Sequence, residues 1–593
     1  MLLKGIPVSP GIVIGKAFVY DRDVPEIQER SIAPQRVGAE EERFLTTLGQ
    51  ASEDLKRIQR KVEAEVGEEY AQIFDAHLLM LEDELVKQET IRRIREHHHS
   101  AEYAYALTVR SLRQKFSAIE DPYLRTRAAD LMDIERRVLV KLSGIEYHIL
   151  ESLESDVIVV AHNLLPSETA HMDRSHVVAF VTDIGGSTSH AAIIARALEI
   201  PAVVGTERAL REVKPNDTLI VDGIRGRVYI NPTAETLGRY RLEQRRFLEL
   251  EKDLSLLREL PTVTLDGREV EVSANIELPE EVDSVLSHGA RGIGLYRTEF
   301  LYLTGRKLPT EEEQFEAYHR IAEKIAPDPV IIRTLDLGGD KLSHVFEVPP
   351  EPNPFLGWRS IRICLEHKDL FETQLRAILR ASVSKNVQVM FPMISGLEEL
   401  IQAKEVLEEV KGKLKAEGVP FDEACQVGAM IEVPSAAMVA DQLAEEVDFF
   451  SIGTNDLVQY AIAVDRGNER IADLFDPLHP GVLRLIERTV EAGHRREIPV
   501  GICGEMCADP LMAIVLLGMG LDKFSMSPIA IPEIKKIIRS IAMEEAEGIA
   551  KTVMTFRTPG SIRAFLMQVL KEKIGDILVP IAELDGVNSE NRS

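Results

Sequence analysis

The spacing of hydrophobic positions changes several times along the chain, and each change marks a new set of elements. Residues 1–22 (MLLKGIPVSPGIVIGKAFVYDR) set Val and Ile between Gly and Pro, which predicts short strands and turns. From 33 to 145 Gly and Pro thin out and apolar residues recur at helical spacing. LTTLGQASEDLKRIQRKVEAEV and AHLLMLEDELVKQETIRRIREH each predict one amphipathic helix. Residues 150–231 return to short apolar runs: DVIVV, VVAFVTD, AVVG, DTLIVDG and RVYINP. One helix, from Ala191 to about Leu198, is expected among them, and Asp222-Gly223 signals a turn. These strands are expected to join residues 1–32 in one small α/β domain, which makes 33–145 an inserted helical subdomain. Residues 232–258 are polar and helical throughout, as a solvent-bridging linker helix would be.

Beyond the linker the chain alternates strand and helix. Strands are predicted at 270–276, 292–297, 330–336, 387–393, 426–433, 447–453, 498–503 and 522–527, each followed by a helical stretch. Eight such units over about 310 residues predict a (β/α)8 barrel, although a doubly wound open sheet shares the pattern. The expected fold class is therefore multidomain α/β. Residues 1–32 plus 146–231 form one α/β domain, 33–145 the helical insert and 232–261 the linker. Residues 262–575 form the barrel, and 576–593 a frayed tail ending in DGVNSENRS.

Composition narrows the function. Seventy Lys and Arg face 97 Asp and Glu, a net charge of −27 in 593 residues. That argues against a nucleic-acid partner, which demands a basic surface, and suits a basic protein partner. The N-terminus has no secretory apolar core, and no run reaches the roughly 18 apolar residues of a membrane helix. A cytoplasmic protein without membrane insertion is expected. The four cysteines (364, 425, 503 and 507) are too few for a disulfide framework, and a reducing compartment follows. The C-x3-C spacing of Cys503 and Cys507 argues against zinc.

Barrel sites lie at the C-terminal ends of the strands. The predicted strands end in Arg297, in Arg333 and Asp336, in Glu432, in Asn455 and Asp456, and in Cys503 and Glu505. Arg359 and Arg362 follow strand three, and Arg466 follows strand six. Arginine forks suit phosphate or carboxylate oxygens. Glu432 and Asp456 offer hard oxygen ligands for Mg²⁺. The combination describes a site for a small, strongly anionic phosphorylated acid with a divalent metal; the plain alternative is a set of rim salt bridges. Cys503 lies between Gly501 and Gly504, where a thiol could donate a proton to a ligand rather than merely pack.

A second site is predicted in VTDIGGSTSHAAIIARALEIPAVVG, residues 181–205. Glycines followed by hydroxyl residues at a helix N-terminus make an anion-binding corner. His190 stands in its first turn, where the positive dipole end favours a neutral, nucleophilic ring. The bland alternative is a histidine that caps or packs. Neither G-x(4)-G-K-[ST] nor G-x-G-x-x-G occurs in a nucleotide-binding context.

These motifs resemble one family. GGSTSHAAIIAR is similar to the phosphohistidine loop of Enzyme I of the bacterial phosphotransferase system. GLYRTEFLY, RTLDLGGDK, NPFLGWRSIR, MFPMI, EVPSAA, DFFSIGTNDLVQYAIAVDRGN, GICGE and LGMGLDKFSMSP resemble its barrel motifs in order, to about residue 575. The resemblance implies a swivelling phosphohistidine domain in which His190 carries a phosphoryl group taken from phosphoenolpyruvate, with Thr169 positioning it. It implies phosphoenolpyruvate binding by Arg297, Arg333, Arg466, Asn455 and Asp456, with Arg359 and Lys341 as further contacts. Glu432 and Asp456 would hold Mg²⁺, and Cys503 would protonate the enolate as pyruvate forms. The helical insert would dock the carrier protein HPr, the barrel would mediate a homodimer, and the linker ends would be the hinge. Pyruvate phosphate dikinase and phosphoenolpyruvate synthase share the histidine domain and barrel. They need a nucleotide-binding domain of several hundred residues, for which about 110 helical residues are too few, and their loop tends to read T-C-H. A silent regulatory paralogue is disfavoured because each expected site position is filled. A nitrogen-related Enzyme I is disfavoured because the chain opens directly on MLLKGIPVSPGIVIG.

Overall fold

A computed structural model describes residues 1–20, 29–65, 77–117, 131–143, 155–164, 176–186, 200–303, 307–338 and 353–574, apart from a few single positions, with isolated residues between. His190, Thr169, Lys341, the tail and most of the helix expected at 191–198 lie outside the described residues; Ala192 and Ala195 of that helix are described, and both are helical and buried. The described residues divide into two compact units, one within Met1–Leu248 and the other beginning at Glu249.

The first unit is built on an eight-stranded sheet. Its strands are β1 (Leu2–Lys4), β2 (Ile6–Ser9), β3 (Ile12–Tyr20), β4 (Val157–Ala161), β5 (Val177–Thr182), β6 (Ala202–Val204), β7 (Thr218–Asp222) and β8 (Arg227–Ile230). Their order is β1-β8-β7-β3-β4-β5-β6-β2. The N-terminal strands thus complete the sheet begun by the later ones. β3 and β4 pair in parallel, Lys16 beside Val157 through Tyr20 beside Ala161, although well over a hundred residues separate them in sequence. The helices Val37–Glu65, Glu84–His97 and Ala101–Ser117 fall within that crossover. They bury a core of their own, including Phe44, Leu48, Ile94, Tyr105, Val109 and Val138.

Two expectations need correction here. The single helix expected over AHLLMLEDELVKQETIRRIREH is broken at Asp83. Its carboxylate accepts from the backbone N–H groups of Leu85 and Val86 and starts a new helix at Glu84. The linker helix, Ala234–Leu256, is not solvent-bridging along its whole length. Tyr240 is buried with Ile12 and Ile220, and its hydroxyl donates to Asp222 at 3.0 Å. Gln244 donates to the Ile12 carbonyl, and Arg225 bridges Asp222 and Glu243. The polar composition concealed this docking, since one tyrosine and a few directed hydrogen bonds supply it.

The second unit closes as a barrel of eight parallel strands. They are β9 (Glu271–Ile276), β10 (Ile293–Arg297), β11 (Val330–Arg333), β12 (Val387–Phe391), β13 (Val427–Ile431), β14 (Phe449–Ile452), β15 (Val500–Ile502) and β16 (Lys523–Met526), with β16 pairing back to β9. Each predicted strand is present, and closure excludes the open sheet. Alternation decides which side chains face inward. Tyr296, Ile332 and Ile431 pack outward into the main core between strands and helices, whereas Leu295, Ile331 and Met430 form a small cluster inside the barrel with Cys503. The next inward positions are Arg297, Arg333 and Glu432, which brings polar groups to the mouth.

Candidate active site

A cavity of about 250 Å³ opens at the C-terminal ends of the barrel strands. Arg297, Arg333, Arg359, Glu432, Asn455, Asp456, Arg466, Cys503 and Glu505 all line it, so most of the mouth residues picked out in the sequence lie together. Arg362 does not join them; its guanidinium donates to the carbonyls of Leu356 and Gly357 and stabilises the loop that carries Arg359. Glu299 and Asp336 complete the polar wall. Asp336 was visible as a strand end. Nothing in the sequence near Glu299 marked it, because its partners come from the neighbouring strand.

Arg333 is the centre of the arrangement. One Nη lies 2.9 Å from Glu299 and the other 3.0 Å from Asp336, whose second oxygen takes Arg359 at 3.1 Å. The Glu299 oxygen also accepts the backbone N–H of Asp336 at 3.1 Å, and Thr298 donates to the Arg333 carbonyl. The ends of β10 and β11 are therefore latched together around the guanidinium. Burial favours a neutral Asp336, but Arg333 and Arg359 outweigh it and hold the carboxyl below its ordinary range. Among the described residues, the Nε groups of Arg333 and Arg359 are buried without a hydrogen-bond partner. Unpaired buried donors are costly, and both belong to guanidiniums that line the cavity.

Asp336, Glu432 and Asp456 bring ligand oxygens within 4.8 Å of one another. The three are not equivalent. Both Asp336 oxygens are engaged by arginines, whereas one Glu432 oxygen accepts the Met393 N–H at 2.6 Å and, among the described residues, Asp456 has no such double clamp. Burial, then repulsion from Asp336 and Asp456, pushes the Glu432 carboxyl well above its usual range. Burial and Asp336 likewise raise Asp456 against the pull of Arg359 and Arg466. Two buried carboxylates that resist ionising side by side fit a hard cation, which would relieve both burial and repulsion. Asp456 stands in the first turn of the helix Thr454–Ile462, and a helix N-terminus favours anions nearby.

Cys503 is 2 % exposed and follows β15. Burial pushes its thiol up to about 11, only partly countered by Ser451 and Arg333. At neutral pH it carries its proton, which a donor must. Gly504 lets the chain pass here: a Cβ there would meet the Thr454 hydroxyl at 1.7 Å. Cys507 donates to the carbonyls of Gly504 and Ser525 and serves structure.

Near the histidine loop, the described residues show β5 leading into Asp183, whose carboxylate accepts from Thr206 Oγ1 and from the N–H groups of Ala209 and Leu210. Gly185 adopts φ +123°, a region that favours glycine.

Comparison with known proteins agrees along the chain. Residues 251–543 match the model of the PEP-utilising enzyme PEP-binding domain, 4–127 the PEP-utilising enzyme N-terminal domain, and 153–226 the PEP-utilising enzyme mobile domain. A phosphoenolpyruvate-protein phosphotransferase of Bacillus sp. (strain S) is 45% identical over 95% of this chain and 97% of its own length. One from Haemophilus influenzae is 43% identical over 96% of this chain and 99% of its own. One from Bacillus subtilis is 43% identical over 96% of this chain and 100% of its own.

Proposed function

Since the chain belongs to the phosphoenolpyruvate–protein phosphotransferases, the Enzyme I family, we propose that its barrel mouth binds phosphoenolpyruvate and that His190 carries the phosphoryl group away. The observation that carries the reading is the cavity in which Arg297, Arg333, Arg359 and Arg466 surround the Glu432–Asp456 pair. A phosphoryl group and a carboxylate need several cationic forks, and four arginines line this one cavity. Asn455 lines the same wall while its Oδ1 accepts the Glu505 N–H at 3.0 Å, which fixes the amide. Lys341 is a further contact in this reading, and Thr169 orients His190.

Glu432 and Asp456 would hold Mg²⁺, which would supply positive charge against the phosphoryl oxygens. The arginines orient the substrate so that His190 attacks phosphorus in line with the enol oxygen. The P–O bond breaks with its electron pair left on the enolate oxygen. That pair returns to form the ketone while C3 takes the proton from Cys503, giving pyruvate; the thiolate regains a proton from water. His190 then passes its phosphoryl group to the histidine of HPr, docked on the helical insert at 33–145. The α/β domain of 1–32 and 146–231 swivels for this, about the 232–261 linker. A homodimer through the barrel belongs to this reading, and the barrel unit leaves Leu356, Met438 and Leu474 exposed.

Steady-state pyruvate release from phosphoenolpyruvate, with HPr present as phosphoryl acceptor, tests the site. Arg333→Lys keeps the charge but loses the fork, and kcat/KM is expected to fall roughly 10²-fold or more. Glu432→Gln is expected to lose activity across a Mg²⁺ titration. Full activity in either variant would contradict the assignment.

A further inference from the structure

We propose that Asn275 is a positioning residue for the proton transfer, acting through Cys503; the inference rests on the reading of Cys503 as proton donor. Asn275 belongs to β9, the first barrel strand, and Cys503 follows β15, the seventh. These strands are not neighbours, since β16 pairs with both of them. Asn275 nevertheless reaches across. Its Nδ2 donates to the Cys503 carbonyl at 2.9 Å, while its Oδ1 accepts the Ser525 hydroxyl of β16 at 2.6 Å. One amide therefore ties three consecutive strands at the level of the thiol.

The surrounding packing keeps this clasp in register. A Cβ at Gly294 would lie 2.4 Å from the Ser525 oxygen, so glycine there leaves space for the hydroxyl. On the far side the Cys503 N–H donates to the Ile452 carbonyl at 3.1 Å. Next to it, the Glu505 N–H donates to Asn455 at 3.0 Å. The peptide units around Cys503 are thus held from β14 on one side and from β9 through Asn275 on the other. Asn275 is not among the residues that line the cavity, and its amide is engaged by Cys503 and Ser525. What it controls is the placement of the backbone that aims the Sγ–H at C3, and proton transfer is steep in donor placement. The step is unchanged: S–H breaks, C3–H forms, the enolate pair becomes the carbonyl, and water restores the thiol.

A double-mutant cycle on the full-length protein separates the possibilities. Steady-state pyruvate formation from phosphoenolpyruvate with Mg²⁺, and with HPr in excess to take the phosphoryl group from His190, is measured for wild type, Asn275→Ala, Cys503→Ser and the double variant. Asn275→Ala is expected to lower kcat roughly tenfold with KM for phosphoenolpyruvate within about twofold. In the Cys503→Ser background it is expected to cost nothing further, because the group it aims is gone. Ser525→Ala, a smaller change that frees the Asn275 amide, is expected to lower kcat in the same direction. An undiminished kcat in both Asn275→Ala and Ser525→Ala, or an equal loss with and without Cys503, would overturn the proposal. If Cys503→Ser itself leaves kcat unchanged, the donor assignment fails and the proposal falls with it.

Discussion

At the scale of single residues, the site follows from strand alternation. Arg297, Arg333 and Glu432 are inward positions two residues beyond Leu295, Ile331 and Met430, and that period could be read in the sequence. What alternation could not show was the pairing between strands. Glu299 and the double clamp on Asp336 depend on the register of β10 against β11, Arg297 beside Arg333, which no local pattern encodes. Cys503 gives a prediction at this scale. With its thiol raised to about 11 by burial, the thiolate fraction at pH 8 is about 10⁻³. Iodoacetamide should therefore label Cys503 slowly at pH 8 and much faster above pH 10, as mass spectrometry of the Cys503 peptide would show. Rapid labelling at pH 7 would contradict a protonated donor.

At the scale of elements, the eight barrel strands were legible because each is a short apolar run bounded by turns. The linker was misread because its composition hid one buried tyrosine. Its far end shows a related device. Lys535, 1 % exposed, donates to the carbonyls of Arg258 and Gly289 at 2.7 and 3.1 Å, and Arg539 donates to Pro261. The segment entering the barrel is thus clipped to the helix Ile531–Arg539. Burial, with Arg291 and Arg539 nearby, lowers the Lys535 ammonium to about 8 from 10.5. Between those values the unfolded chain binds more protons than the folded one, so this group's contribution to stability rises with pH across that window. Lys535→Met should remove a rise of roughly 2–3 kcal/mol, seen as a wild-type minus variant difference in Tm that grows from pH 8 to pH 10. The variant should also be less stable at pH 7.5, by ~1 kcal/mol, where its two carbonyl partners lose their donor.

At the scale of the whole molecule, the division of labour follows from the chain's two units. The cavity belongs wholly to Glu249–Ala582, while position 190 falls in Met1–Leu248. Sequence motifs identified both halves, but the geometry around His190 lies outside the described residues. A carrier role for His190 is therefore argued from the chemistry of its loop and from family membership. The net charge of −27 bears on delivery to the acceptor. If HPr is recognised partly through complementary charge, the rate of its phosphorylation should fall as ionic strength rises, while loading of the protein by phosphoenolpyruvate changes less. Stopped-flow transfer at increasing salt checks this.

The most direct test of the central claim is labelling. Full-length protein is incubated with phosphoenolpyruvate and Mg²⁺, and the phosphoprotein is assayed for acid and base lability. Wild type should acquire an acid-labile, base-stable phosphoryl group, and His190→Ala should acquire none. Labelling of His190→Ala as strong as wild type would contradict the account.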